Sequence, residues 1–210
     1  MRLHGYFRSA ASWRVRIALN LKGVEVTHVP HHLRRGAQRA PEYLVLNPQG
    51  LVPALELSDG RVLTQSLAII EWLEEAYPEP KLLPSDMIER AQVRAFALVL
   101  AADTHPLQNL CVLGRLREMG RPEHDVQAWA ASANEAGLRA CEALISGGAG
   151  PFCFVEHRLS PISALYRNLA NARRFGVDVS QFPHLLRSED ACSAMSAFAD
   201  ATPDRQPDAE

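Results

Sequence analysis

Two serines near the start of the chain, Ser9 and Ser12, stand where a strand-like segment passes into a helix-like one. The N-terminus of a helix carries unpaired N–H groups and about half a positive charge, so it stabilises an anion. A serine hydroxyl at this place could donate a hydrogen bond to a thiolate and lower the pKa of that thiol. The same serines could also be simple helix caps.

Two further stretches could bind the same ligand. Val52 and Pro53 stand in a strand-like run, where a proline removes a donor from the ladder and indicates an edge or a special turn. If their peptide bond is cis, the backbone of Val52 faces outward and can pair with a peptide ligand; the alternative is an ordinary edge-strand proline. Gln65 and Ser66 open a helix and offer a hydroxyl and N–H groups to a carboxylate, or Ser66 is only a cap.

These stretches lie at the ends of alternating strands and helices. The periodicity predicts strands over 2–7, 24–29, 51–57 and 61–63, and helices over 12–21, 41–46 and 66–76. Gly23 is placed as a helix C-cap, and Asp59-Gly60 as a hairpin turn. The order β-α-β-α-β-β-α predicts a compact α/β domain over residues 1–81.

The rest of the chain has a helical pattern. Prolines at 78, 80 and 84 indicate a linker, which we place at 82–87, and an all-α domain follows over 88–210. One helix is expected from about Ile88 towards Glu118, bent near Pro106, with others over 125–145 and 188–199. The polar tail 202–210 is expected to be loose.

Composition excludes several classes of protein. Hydrophobic residues make up 47% of the 210 residues, and the formal net charge is −2 without a basic block. That argues against a nucleic-acid-binding or membrane-surface protein. We see no apolar run of the roughly 20 residues that a membrane span needs. The expectation is a soluble, cytoplasmic protein.

Cysteine and histidine usage predicts no metal site. The four cysteines form no C-x-x-C pair, so we expect free thiols, with a catalytic cysteine as the lesser alternative; they are Cys111, Cys141, Cys153 and Cys192. Three histidines cluster after the second strand, and no carboxylate or cysteine stands at ligand spacing beside them, so they are interpreted as a surface cluster. They are His28, His31 and His32.

Eight blocks of the sequence resemble the zeta class of glutathione transferases, the family of maleylacetoacetate isomerase and maleylpyruvate isomerase. The resemblance covers nearly the whole chain, and its block from Gln65 to Glu71 is highly specific. The blocks are Tyr6–Ser9, Ser12–Leu19, Leu46–Pro48, Val52–Leu55, Gln65–Glu71, His105–Leu110, Asn171–Phe175 and Arg205–Asp208.

The resemblance implies a thioredoxin-like, glutathione-binding domain followed by an all-helical substrate domain, in a cytoplasmic homodimer. Ser9 would be the catalytic residue that holds the glutathione thiolate, and Arg8 and Arg174 would hold substrate carboxylates. The implied activity is glutathione-dependent cis–trans isomerisation of a maleyl diketo acid in the breakdown of aromatic compounds. The expected glutathione contacts are Ser9, Ser12, Gln38, Val52, Pro53, Gln65, Ser66, His105 and Asn109.

Two alternatives to the isomerase stay open. One is a broader zeta-like transferase that acts on α-halo acids or other electrophiles, and the other is a non-catalytic glutathione-binding protein. The family pattern after the arginine is Ser-Ser-Cys, whereas this chain has Ser9-Ala10-Ala11. The missing thiol argues against cysteine-dependent reductive dehalogenation, but it leaves isomerisation open.

The segment Val155–Asn168 departs most from the family, which has Gly-x-Thr-Pro-Thr-Leu-Ala-Asp there. Leu159 and Ile162 occupy the positions of that helix's capping box, and neither side chain can cap. One permitted set of codons, read one base out of frame, gives the family pattern, so we interpret the segment as a local frameshift. Ordinary divergence is the alternative, and sequencing of the DNA decides between them. If the segment is expressed as written, loss of both caps destabilises the helix by about 1 kcal/mol or more.

Overall fold

The computed structural model describes residues 1–147 and 168–210. These residues form two compact units, of which the first combines Met1–Leu82 with Ala194–Glu210 and the second is Leu83–Ser193. The interpretation of Val155–Asn168 as a frameshift falls outside the described residues, except for Asn168 itself, and so does Cys153.

A four-stranded sheet organises the first unit. Its strands are β1 (Arg2–Gly5), β2 (Thr27–Pro30), β3 (Ala54–Glu56) and β4 (Val62–Thr64). The strand order is β2-β1-β3-β4, with β1 parallel to β2 and the other two pairings antiparallel. In the centre of the sheet, Leu3 faces His28 on one side and Leu55 on the other. The predicted β-α-β-α-β-β-α order is confirmed.

Three helices complete this α/β unit: α1 (Ala10–Lys22), α2 (Pro41–Leu46) and α3 (Ser66–Ala76). Gly23 is the predicted C-cap of α1, in the left-handed region at φ 63°. The N–H of Val24 also bonds back to the carbonyl of Leu19 at 3.0 Å. Because these residues cap α1, β2 begins at Thr27 rather than at the predicted residue 24.

The C-terminal segment Ala194–Glu210 belongs to the first unit, and this corrects its assignment to the helical domain. The buried guanidinium of Arg16 donates to the carbonyl oxygen of Ala201 through both Nε, at 3.1 Å, and Nη2, at 3.0 Å. The N–H of Phe7 donates to a carboxylate oxygen of Asp208 at 3.0 Å.

The tail after residue 202 is ordered by such bonds, so the expectation of a loose tail is wrong. Gln206 is buried, and its side-chain amide donates to the carbonyls of Asp200 and Thr202 at 2.9 Å each. Polar side chains in this tail bond backbone groups, which the sequence pattern alone cannot distinguish from solvation.

The described elements of the second unit are helical, as predicted. They are α4 (Met87–Leu98), a π-helical turn (Val99–Thr104), a 3-10 turn (Pro106–Gln108), α5 (Leu110–Glu118), α6 (Glu123–Ile145), α7 (168–174), a 3-10 turn (Val179–Gln181) and α8 (Pro183–Ser193). The predicted last helix over 188–199 is in fact two, since α8 ends at Ser193 and α9 (Ser196–Ala199) lies in the first unit.

The predicted bend near Pro106 is a longer break over residues 99–108. The π turn packs against α6 at Gly137, where a Cβ atom would lie only 1.9 Å from Oγ1 of Thr104. The side chain of Thr104 in turn donates to the carbonyl of Val99 at 2.7 Å. A glycine is therefore required for this close approach.

One stretch of the described chain, Met87–Glu118, is long and apolar enough to cross a membrane by length and composition. This contradicts our expectation that no such run exists. Val93, Phe96 and Leu100 in this stretch are completely buried within the protein. Packing in the helical unit therefore accounts for these three residues, whereas Met87, Ile88 and Leu98 are exposed.

Candidate active site

Ser9 is the N-cap of α1, so the capping interpretation is correct, but the hydroxyl keeps a donor. Its Oγ accepts a hydrogen bond from the N–H of Ser12 at 3.2 Å. That bond uses an oxygen lone pair, and no described residue accepts the hydroxyl proton. Ser9 is 9% exposed, and the first turn of α1 contains no acidic residue. The helix start can therefore donate one O–H hydrogen bond to an anion.

Ser12, a predicted glutathione contact, has its side chain inside the protein. It is completely buried, and its Oγ lies against the backbone of Gly5, 3.3 Å from the place of an added Cβ. Its contribution to the site is the backbone N–H that fixes the oxygen of Ser9.

The peptide bond between Val52 and Pro53 is cis, which is the first of the two alternatives that the sequence left open. Within the described chain, the backbone N–H and C=O of Val52 form no hydrogen bond. The preceding carbonyl, that of Leu51, accepts from the hydroxyl of Tyr43 at 2.5 Å and from Nδ2 of Asn47 at 2.7 Å. These two hydrogen bonds fix the loop at Leu51, while the peptide groups of Val52 stay available to a ligand.

Tyr43 and Asn47 were missed by the sequence analysis. Burial raises the pKa of Tyr43 to about 12, so its hydroxyl is a neutral donor at physiological pH. The imidazole of His31 packs on the ring of Tyr43 with the centroids 4.3 Å apart, and its Nε2 lies 3.0 Å from Nδ1 of His4. His31 therefore belongs to the packing behind this loop, which corrects its assignment to a surface cluster.

Gln65 has a strained backbone, with φ 66°, and is the only non-glycine residue at positive φ in the described chain. Its side-chain amide donates to Oε1 of Gln49 at 2.8 Å. Backbone strain of this kind is typical of ligand clamps. The next residue, Ser66, is the first residue of α3 and not its cap, so that alternative is wrong.

The oxygen of Ser66 is occupied from inside the protein. Nη1 of Arg14 donates to it at 3.1 Å, and both residues are buried. Sequence analysis missed Arg14, although a charged residue within the apolar run of α1 is a signal that could have identified it.

The three candidate ligand-binding stretches of the first unit are connected by packing and by a hydrogen bond. Tyr6 and Phe7, which precede the Ser9 turn, share one buried cluster with Tyr43 and Val52. The bond from Arg14 joins α1 to the start of α3.

Gln38 and Arg8 have different surroundings in this unit. Gln38 is partly buried, and its carbonyl oxygen lies 3.2 Å from the Cβ position of Gly50, which is in the loop that leads to Val52. Arg8 is exposed, with its guanidinium carbon 6.0 Å from the ring centroid of Phe7.

Three predicted site residues, His105, Asn109 and Arg174, lie in the helical unit. A side-chain hydrogen bond joins the 3-10 turn between the first two to α7, which bears the third. His105 and Asn109 flank the 3-10 turn that contains Gln108, and Asn109 caps α5 through its Oδ1, 2.8 Å from the N–H of Leu110. The buried side chain of Gln108 accepts a bond at 3.3 Å from Asn171 of α7. Arg174 is exposed at the end of α7, 5.6 Å from the ring centroid of Phe175.

A thioredoxin-like unit with a serine at the start of α1, combined with a helical unit, is the architecture of glutathione transferases. The family model for the glutathione S-transferase N-terminal domain matches residues 8–76. The maleylacetoacetate isomerase of Pseudomonas aeruginosa is 45% identical over 210 residues, which are 99% of this chain and 98% of the relative. A maleylpyruvate isomerase of a Ralstonia species is 41% identical, over 99% of each chain.

A solved structure of an isomerase is also similar to this chain. It is that of a maleylacetoacetate isomerase from Methylobacterium extorquens AM1 with bound malonate and glutathione, which is 39% identical, covers 100% of both chains and has a TM-score of 0.95. The chain therefore belongs to the zeta class of glutathione transferases, the family of the maleylacetoacetate and maleylpyruvate isomerases.

Proposed function

We propose that the protein is a glutathione-dependent cis–trans isomerase that converts a maleyl diketo acid, maleylacetoacetate or maleylpyruvate, into its fumaryl isomer during the breakdown of aromatic compounds. The names of its full-length relatives support this substrate class. The observation that carries the chemistry is the hydroxyl of Ser9, which lies at the positive end of α1 with its proton available.

The groups of the first unit fit the three parts of a γ-glutamyl tripeptide. Ser66, above the buried guanidinium of Arg14, and Gln65 would hold the γ-glutamyl end. The backbone groups of Val52, which bond to none of the described residues, would pair with the cysteinyl peptide groups, and Ser9 would hold the sulfur. We also propose that Gln38, His105 and Asn109 contact glutathione, with Pro53 shaping the loop.

When bound, glutathione supplies a thiolate that adds to the conjugated double bond and later leaves, so it is not consumed. The hydroxyl of Ser9 donates to the sulfur, and the N-terminal dipole of α1 favours negative charge at the same place. Both groups are already oriented in the folded protein, because Ser12 fixes the oxygen of Ser9.

Two exposed arginines, Arg8 and Arg174, would hold the carboxylates of the substrate. A guanidinium binds a carboxylate through two parallel hydrogen bonds, so it fixes the orientation of the acid as well as its charge. The bound malonate of the Methylobacterium relative, itself a dicarboxylate, supports an acid as the second ligand.

We also propose that the protein is a cytoplasmic homodimer. No disulfide bond joins the three described cysteines, Cys111, Cys141 and Cys192, which suits a reducing compartment. Light scattering of the purified protein should give twice the 23.2 kDa mass of the chain.

The function is tested by following maleylacetoacetate and maleylpyruvate, each with and without glutathione, while free glutathione is measured. Isomerisation that needs glutathione and does not consume it supports the proposal. Consumption of glutathione indicates a conjugating transferase, and no turnover with retained glutathione binding indicates a binding protein. Conversion that proceeds equally well without glutathione contradicts the proposal.

A further inference from the structure

Arg14 is a buried cation without a described counter-charge. Its side chain is in α1, with 2% of the residue exposed. Nη1 donates to Oγ of Ser66 at 3.1 Å, while Nε and Nη2 have no hydrogen-bond partner within the described residues. Burial lowers the pKa of Arg14 to about 10, and the guanidinium is still protonated at neutral pH.

The other buried cations of α1 have more hydrogen-bond partners than Arg14. Arg16 donates to the carbonyls of Phe7 and Ala201, with 4% of the residue exposed. Lys22 binds the carboxylate of Glu74 at 2.6 Å as well as two backbone carbonyls. A buried charge that is neither paired nor fully hydrogen-bonded is costly. Arg14 therefore differs from the other two cations of its helix, and a bound anion nearby would supply a counter-charge.

The bond to Ser66 determines where the serine can point its proton. A guanidinium has only donors, so it occupies a lone pair of the serine oxygen and leaves the hydroxyl proton for another acceptor. Ser66 is 6% exposed and is the first residue of the 11-residue helix α3, whose N–H groups add positive potential there. The buried charge, the helix end and the hydroxyl proton all favour one carboxylate.

We propose that Arg14 is a positioning residue for the α-carboxylate of the γ-glutamyl group of glutathione, an inference that rests on the proposed function. It holds Ser66 as a donor towards that carboxylate, and its charge compensates the carboxylate from beneath. The guanidinium itself stays inside the protein and acts through Ser66.

The test compares two ligands by titration calorimetry: glutathione and its analogue without the α-carboxylate, 4-aminobutyryl-cysteinyl-glycine. The wild type should prefer glutathione. Arg14→Met should bind glutathione about tenfold more weakly and bind the analogue as before, so the preference falls by the same factor. Arg16→Met is the matched control, because it removes a buried arginine from the same helix; it should keep the ratio of the two affinities even if both affinities fall.

Each outcome decides a different point. An equal loss for both ligands in Arg14→Met means that Arg14 is only structural; it overturns this inference and leaves the proposed function intact. If the wild type binds neither ligand, the proposed function fails and the inference fails with it. Should Arg14→Met not fold, Arg14→Gln replaces it: a lowered ratio supports the role of the charge, and an unchanged ratio overturns it.

Discussion

Ser9 and Ser66 are both serines at the start of a helix in the same unit, yet their oxygens accept hydrogen bonds from different groups. Ser9 lies outside α1 as its cap, and its oxygen is fixed by a backbone N–H. Ser66 lies inside the first turn of α3, and its oxygen is fixed by a buried guanidinium.

The comparison shows that the ligand suited to a serine hydroxyl at a helix start depends on the group that donates a hydrogen bond to the serine oxygen. The oxygen of Ser9 accepts from a neutral N–H, so the hydroxyl can donate within the positive potential at the start of α1. This suits a sulfur that must be ionised and must also leave. A full positive charge behind Ser66 suits a carboxylate that is already ionised and stays bound.

The largest effect is expected for substitution of Ser9. Ser9→Ala should lower kcat by about 100-fold, because it removes one oriented donor to the developing charge. The loss of the cap should also reduce stability by about 1 kcal/mol. Ser9→Thr keeps the hydroxyl and the cap and should restore most of kcat, and Ser146→Ala, at an exposed serine, is the neutral control. Equal turnover of Ser9→Ala and the wild type would contradict the role of this serine.

Gly137→Ala should have the next largest effect, on the stability of the fold rather than on catalysis. A methyl group 1.9 Å from Oγ1 of Thr104 forces the π turn away from α6, at about 2 kcal/mol measured by denaturant unfolding. Gly114→Ala is the matched control, since nothing lies within 4 Å of its Cβ position, and it should be neutral or slightly stabilising. A similar stability for both variants would show that the close approach is not rigid.

Ser66→Ala should affect binding rather than turnover. We expect the KM for glutathione to rise about tenfold with little change in kcat, because a hydrogen bond to a charged group is lost in the ground state and in the transition state alike. Steady-state kinetics with varied glutathione measure both constants. A loss confined to kcat would place Ser66 in the chemistry and erase the contrast with Ser9.

His31 should give the smallest effect, as a dependence of stability on pH. Burial lowers the pKa of the His31 imidazole, and the nearby His4 lowers it further. The folded state therefore binds fewer protons than the unfolded state, so stability is complete above the ordinary histidine pKa and is lost as the pH falls below it. We expect less than about 1 kcal/mol between pH 7 and 5, measured by thermal unfolding. His31→Gln should flatten this dependence, and an unchanged slope would assign it to other groups.

Local signals in the sequence predicted much of this site. The Asp59-Gly60 turn was predicted correctly between β3 and β4, and α2 and α3 run over the predicted residues 41–46 and 66–76. A proline in a strand-like run indicated an edge or a special turn at Val52, and the peptide bond there is cis.

The features that the sequence did not reveal depend on distant partners. Arg14 reaches Ser66 across 52 residues, and Arg16 reaches Ala201 across 185 residues. The burial of Ser12 follows from packing against Gly5 on the neighbouring strand. Periodicity identifies a buried face, but it does not identify which polar group on that face meets which partner.

The most direct test of the contrast is the pKa of the glutathione thiol on the protein, followed by the ultraviolet absorbance of the thiolate as the pH changes. In the wild type it should titrate well below the value of about 8.5 for a free thiol, and Ser66→Ala should titrate like the wild type wherever glutathione saturates the site. Ser9→Ala should return the pKa close to that of free thiol. A thiol that ionises at the same pH in Ser9→Ala and in the wild type would contradict the account.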